Sequence, residues 1–299
     1  MKYIAITALL ISIGLTACSS DDNGEVQPQD VPGITTRTMY VDVTENPLTD
    51  NTANGARETV STRTAAPTTT STLSSFSMNY MTNKYDFSKT AGPWRTATWP
   101  GVGNDDKIDF YAYNGGTYNY NDGAPYATFS VDEDAFNQHD FLVAEHKQIS
   151  YNDAKGHVSL TFDHACAAVF FTVQITNTLR TNLGHDLMVN SIVLRNVYKS
   201  GTYNYGTKSW SDVSTVANYT LTNVAAGDAI TVTPTPQALP TEYLFMIPQV
   251  RPAGVGGIYL EVNYTTSSAK SVSIPLDVNW ESGQMYTINI KLGTSAIQP

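Results

Sequence analysis

The stretch Val158-Ser159-Leu160-Thr161-Phe162-Asp163-His164-Ala165-Cys166-Ala167-Ala168-Val169-Phe170-Phe171-Thr172-Val173-Gln174-Ile175 decides the fold class. Val158, Leu160 and Phe162 fall on every second position, and so do Val169, Phe171, Val173 and Ile175. Successive side chains of an extended chain point to opposite faces, so a period of two marks a half-buried strand. Working outward, the same alternation recurs in shorter runs. It appears at Phe76, Met78 and Tyr80, at Ile108, Phe110 and Ala112, and at Ala127, Phe129 and Val131. Downstream it marks Ile192 and Leu194, Ile230 and Val232, and Tyr243, Phe245 and Ile247. It continues through Ile258, Leu260, Val262 and Tyr264, then Val272 and Ile274, and finally Ile288, Ile290 and Leu292. No segment carries a helical stripe through three turns. Ser130 and Glu133 have capping-box spacing, which predicts one helical turn at 131–137. Many short strands punctuated by Gly, Pro, Asn and Asp predict an all-β chain of β-sandwiches. The turn-rich run Tyr151-Asn152-Asp153-Ala154-Lys155-Gly156 divides it most naturally, giving domains at 64–155 and 156–299.

Upstream, Met39, Val41 and Val43 alternate with Tyr40, Asp42 and Thr44 and predict a first strand at 37–44 that completes the N-terminal domain. The next 28 residues, 45–72, hold Thr, Ala, Asn and Pro with few large apolar side chains. A structureless run of that length inside a compact domain is unusual and commonly functional. It contains Arg57 and, in the soft setting Ser61-Thr62-Arg63-Thr64, Arg63. Residues 1–17 read as a targeting segment. Lys2 supplies its positive end, and the apolar run from Ile4 to Leu15 is too short to span a bilayer as a helix. The run closes on Leu15-Thr16-Ala17-Cys18, which resembles a bacterial lipobox and implies lipid attachment at Cys18. Ser19-Ser20-Asp21-Asp22 resembles the surface-export signal of Bacteroidetes lipoproteins. The arm 18–63 is therefore expected to be a lipidated tether carrying the first strand, and a possible propeptide.

The chain has 27 acidic against 17 basic residues, a net charge of −10. Nothing in it forms a basic patch able to neutralise phosphates, which argues against nucleic-acid binding. With Cys18 assigned to lipid, Cys166 has no partner for an internal disulfide. Its Ala, Val and Phe neighbours mark it as a small buried hydrophobe.

Signals for chemistry are weak. His139, His146, His157, His164 and His185 include no i,i+4 helical pair and no His-Glu-x-x-His run. His157 and His164 are an odd number of residues apart along one strand, so they face opposite ways. Asp105-Asp106 sits in a turn-like run, and Asp132-Glu133-Asp134 is a second acidic group. No nucleophile elbow, P-loop or dinucleotide fingerprint occurs. These patterns predict no enzyme activity, no cofactor and no metal site. Tyr111, Tyr113, Tyr118, Tyr120 and Tyr126, near Trp94 and Trp99, read either as amphipathic strand filling or as a platform that stacks on sugar rings.

Several local patterns, in order, resemble one family. They are Phe110-Tyr111-Ala112-Tyr113, then Phe162-Asp163-His164-Ala165 leading into an apolar strand, and Gly201-Thr202-Tyr203 followed by Trp210. Ile247-Pro248-Gln249 and Trp280-Glu281-Ser282-Gly283-Gln284-Met285-Tyr286 complete the set. Coming after a lipobox, they are similar to the fimbrillin-like lipoproteins of Bacteroidetes, which include subunits of type V pili. The resemblance implies two tandem transthyretin-like Greek-key β-sandwich domains. It also implies export as an outer-membrane, cell-surface lipoprotein and assembly by donor-strand exchange. A trypsin-like protease would cut after Arg63, with Arg57 as runner-up. The strand carrying Met39, Val41 and Val43 would leave, and a strand from a neighbouring pilus subunit would take its place. Residues 293–299 are short for a separate donor strand, so either 286–297 donates or the chain sits at the tip or as a minor subunit. A host glycan or protein is the expected adhesion target. The alternative is a monomeric surface lipoprotein that binds glycans through the Tyr/Trp-rich face.

Overall fold

The computed structural model describes residues 37–50, 73–89, 94–100, 103–121, 124–222, 229–241 and 243–297. The predicted sites Cys18, Arg57 and Arg63 lie outside them. The chain is all-β. Its strands begin with β1 (Thr38–Glu45), β2 (Thr49–Asp50), β3 (Ser75–Tyr80), β4 (Asn83–Ser88) and β5 (Ala97–Thr98). They continue with β6 (Ile108–Asn114), β7 (Thr117–Asn121), β8 (Ala124–Ser130) and β9 (Leu142–Ile149). A short α1 (Tyr151–Ala154) leads into β10 (His157–His164) and β11 (Ala167–Ile175). After α2 (Asn177–Leu183) come β12 (Leu187–Asn204), β13 (Ser209–Thr220), β14 (Ile230–Val232), β15 (Gln237–Ala238) and β16 (Leu244–Met246). The chain closes with β17 (Gln249–Arg251), β18 (Ile258–Thr265), β19 (Ala269–Leu276), β20 (Val278–Trp280) and β21 (Gln284–Leu292).

The first sheet has the order β4-β3-β6-β9-β10-β1-β5. Strands β9 and β10 share only the pairs Asp163↔Val143 and His164↔Leu142, so the sheet turns a corner between them. Its two leaves then face each other. Phe162 on β10 meets Phe76 on β3 at 5.2 Å, and Trp99 beside β5 meets Phe110 on β6 at 5.6 Å. Met39, Met78, Leu160 and Phe162 are buried in the core between them.

In the second half, β15-β11-β21-β2 forms one sheet, with β16 added to β11. The other is β19-β18-β12-β8-β7, with β13 and β14 also on β12. Apolar positions of β11, β12, β18 and β21 meet in the largest core. A repeat of topology links the halves: β1 is parallel to β10, and β11 is parallel to β21 from Ala168↔Met285 to Ile175↔Leu292.

Four local expectations are corrected. Residues 131–137 do not form a helical turn, because Asp side chains capture the amides that a helix would use. Asp132 accepts from the Asp134 amide at 2.8 Å, and Asp134 accepts from the Phe136 amide at 3.0 Å. Such local side-chain bonds compete with helix. The run 151–156, where the chain divides most naturally by sequence, is a helical reversal between β9 and β10, both in the first sheet. Ser150 caps it, and Lys155 (φ 50°) and Gly156 (φ 83°) end it in left-handed conformation. Strand β10, placed by sequence in the second domain, lies in the first sheet. Strand β8, placed in the first domain, pairs with β12, and β7 pairs with β8 beyond it. Finally, β12 spans 18 residues although its alternation is legible only around Ile192 and Leu194. A register shift between Leu194 and Val197, with Asn196 at φ 67°, breaks the period.

Candidate functional site

The candidate site is the seat of β1. Met39, Val41 and Val43 were singled out as the inward row of a first strand, and the structure puts Met39 and Val41 in the first core with Val43 packed against it. Met39 is fully buried. Burying side chains of this size stabilises by roughly 1.5–3 kcal/mol each. The backbone runs parallel to β10 from Tyr40↔His157 to Glu45↔Phe162. On its other side β1 meets only the two-residue β5, through Thr38↔Thr98 and Met39↔Ala97. Its hold therefore rests on β10 and the core, and past Met39 the outer edge of β1 has no strand partner among the described residues.

The N-terminal end of the strand is clamped. The Trp99 amide donates to the Arg37 carbonyl at 2.7 Å, and Arg37 Nη1 donates to Asn104 Oδ1 at 2.6 Å. The Arg37 guanidinium also lies over the Tyr151 ring, 5.4 Å from its centroid. Gly156 lets the chains approach closely: the Tyr40 amide donates to its carbonyl at 2.9 Å. A Cβ on Gly156 would stand 2.6 Å from the Thr38 carbonyl oxygen. Sequence reading took Gly156 for a turn residue and missed this second role.

At the other end, the Asn46 amide donates to the Phe162 carbonyl at 2.9 Å. The chain then crosses to the second half, where Thr49 and Asp50 pair with Gln284 and Met285 on β21. Glu45 accepts a hydrogen bond from the Leu73 amide at 2.8 Å. Residues 51–72, with Arg57 and Arg63 among them, connect these two described points.

Beside the exit of β1 lies a buried pair, His164 and Asp140, with side chains 7% and 6% exposed. His164 Nδ1 hydrogen-bonds the Asp140 carboxylate. Burial pulls the His164 pKa down. The hydrogen bond and charge of Asp140, a bond to the Asn46 main chain and the Glu45 charge outweigh burial, so the net shift is upward. A raised folded pKa favours the protonated form, so its stabilisation is complete below the unfolded value of about 6.5 and is lost as pH rises through the folded value. We expect the unfolding free energy to decline with pH across that window, and His164→Asn to flatten the decline. Denaturant titrations at half-unit pH steps measure both, and an equal slope in the variant would assign the dependence to other groups.

The remaining candidates fall elsewhere. His157 is exposed on the opposite face of β10 from His164, as the odd spacing requires. Cys166 is fully buried, and burial pushes its thiol well up. Among the described residues no cluster of three or more His, Cys, Asp or Glu is arranged to hold a metal ion. The aromatic platform is corrected at its main positions. Trp99, Tyr111 and Tyr113 are buried, with Trp99 in the first core. Tyr111 and Tyr113 join Phe141, Tyr203 and Tyr205 in a cluster that bonds the halves of the chain. Tyr205 donates its hydroxyl to the Ala112 carbonyl at 3.0 Å. Rings packed this way have no face left for a sugar. Counting aromatic residues along the sequence could not distinguish this burial from exposure.

The chain matches the family model described as Fimbrillin-like over residues 36–299. No match is found among curated proteins. Of solved structures, a fimbrial protein from Bacteroides vulgatus is 20% identical with a TM-score of 0.53, over 85% of this chain and 95% of that one. A Bacteroides ovatus protein assigned to cell adhesion is 15% identical with a TM-score of 0.51, over 86% of this chain and 93% of that one. At these identities the likeness is one of fold.

Proposed function

The chain belongs to the fimbrillin-like family, and from that premise we propose that it is a cell-surface pilus subunit serving adhesion, in which β1 is a provisional occupant of its seat. One observation carries the reading. Strand β1 fills a core slot with Met39 and Val41, yet it is fixed laterally by one long parallel pairing and two residues of β5. A sheet edge that gains a strand satisfies its backbone groups and fills its side-chain pockets at once. While the connection through 51–72 is intact, β1 competes for the seat at high effective concentration. Cleavage after Arg63, or after Arg57, removes that advantage and lets a strand of a neighbouring subunit enter. Cys18 anchors the precursor to outer-membrane lipid before a trypsin-like protease acts.

The parallel pairing of first and last strands in each half supports the tandem transthyretin-like reading. A tip or minor position is favoured over a donating one. Tyr286, Ile290, Leu292 and Ile297 are buried in the second core, so donating the C-terminal strand would strip the subunit's own fold.

Limited trypsin digestion of the folded full chain without lipid tests this reading, with intact mass, N-terminal sequencing and native sizing. The expected result is a new N-terminus at Thr64, release of the arm, and no self-growth unless a donor subunit is added. Growth into multimers by the cut chain alone would replace the tip assignment with a self-polymerising one. Resistance at both Arg57 and Arg63 in an otherwise folded protein would remove the exchange mechanism.

A further inference from the structure

The outward face of the β1–β10 pair carries a second set of contacts that the apolar slot does not need. Tyr40 stacks on His157 with centroids 5.0 Å apart and planes 19° from parallel. The same imidazole approaches Asp42, with Nδ1 3.0 Å from Oδ2. The Thr44 and Thr161 hydroxyls are 3.0 Å apart. Asn46 Nδ2 donates to Asp163 Oδ1 at 2.6 Å. These are alternate residues of both strands, in the register Tyr40↔His157, Asp42↔Ser159 and Thr44↔Thr161. The outer row of β10 thus presents a ring-stacking base, a hydroxyl and a carboxylate, in that order.

We propose that this row selects the strand that occupies the seat, so that the incoming segment comes from a different subunit carrying the pattern aromatic-x-acidic-x-hydroxyl-x-amide, with apolar residues between its first three members. The inference rests on the strand-exchange reading above. Charge and shape favour this occupant over the C-terminal strand β21 of a second copy. Strand β21 has the right inward row: with Ile288 at the place of Val41, Ile290 falls at Val43 and Tyr286 at Met39. Its outward row would then put Thr287, Asn289 and Lys291 at the places of Tyr40, Asp42 and Thr44. It offers His157 neither a ring to stack on nor a carboxylate. The apolar slot alone accepts β21, whereas the outer row rejects it. Cross-strand contacts of this kind discriminate by modest factors that multiply along a strand.

The test uses the full chain, cut with trypsin, and labelled ten-residue peptides whose uptake is followed by native mass spectrometry. The peptides are the 38–47 segment, the same segment with Tyr40→Ser and Asp42→Lys, and the 284–293 segment. The parent is expected to enter, with the doubly substituted peptide and the 284–293 peptide held about tenfold less well. In a His157→Glu chain, a peptide with Asp42→Lys alone is expected to bind better than the parent, reversing the order. His157 is exposed, so this variant keeps its core. Entry of the parent together with equal entry of the others would overturn the outer-row proposal while leaving exchange intact. Preferential entry of the 284–293 peptide would overturn it in favour of a second copy. Exclusion of every peptide, the parent included, would overturn exchange itself and this proposal with it.

Discussion

Met39→Ala is expected to lower the unfolding free energy of the full chain by about 2–5 kcal/mol, and Met39→Asp to keep β1 from seating. Met39 is fully buried in the first core, on a strand held laterally by β10 and by two residues of β5. Truncation to Ala leaves a cavity in a core whose rings are already set, because Phe76 packs on Phe87, Trp94 and Phe162 at centroid distances of 4.9–5.2 Å. A carboxylate in the same place would be desolvated, and the described buried residues include no Lys or Arg to pair with it. Denaturant unfolding followed by tryptophan fluorescence reads the change, since Trp94 and Trp99 both pack on this core. Val250→Ala, exposed on β17 and outside the first core, serves as the control and is expected to change stability by less than about 0.5 kcal/mol. A Met39→Ala chain as stable as the parent would mean that β1 adds nothing to the core. The provisional-occupant reading would then lose its energetic basis.

Gly156→Val is expected to expel the N-terminal part of β1 while leaving β10 in its sheet. The residue sits at φ 83°, a conformation that costs a residue with a Cβ about 1–3 kcal/mol. The Cβ would also stand 2.6 Å from the Thr38 carbonyl oxygen and 3.2 Å from the Tyr151 ring. The clash with Thr38 is relieved when β1 moves off, because the Tyr40 amide and Thr38 carbonyl then withdraw from Gly156, while the φ cost and the Tyr151 contact stay in the reversal. Hydrogen exchange should show lost protection at Tyr40 and at Trp99, whose amide bonds the Arg37 carbonyl. Protection in β11 and β21 should hold. Uniform loss of protection across both halves would instead mean that the substitution unfolds the β9–β10 reversal.

Much of this is legible in the sequence. Alternation at Met39, Val41 and Val43 identified a strand with its apolar face inward, and the same rule set His157 and His164 on opposite faces of β10. Cys166 among alanines and phenylalanines read correctly as a buried small residue. Other features were not legible, for reasons that differ from place to place. Tyr111 and Tyr113 look the same in sequence whether a tyrosine row meets solvent or another sheet, and here β12 brings Tyr203 and Tyr205 against them. The run 151–156 has the composition of both a linker and a tight reversal. The spacing at 130–133 is that of a capping box, but Glu133 pairs with Lys199 and the Asp side chains of that loop bind its amides.

The sequence by itself determined the class of structure: short half-buried strands, the face that each turns inward, and a family likeness carried by ordered local motifs. Period-two alternation depends on a residue and its near neighbours alone, so it survives being read one strand at a time. Only the tertiary structure decided which strand lies beside which. Parallel pairing of β1 with β10 joins segments more than a hundred residues apart, and β8, carrying β7 on its other side, pairs with β12. Such pairings are chosen by which apolar faces best exclude water together, set against the entropy of closing the loops between them. That balance belongs to the whole chain, and no local pattern records it.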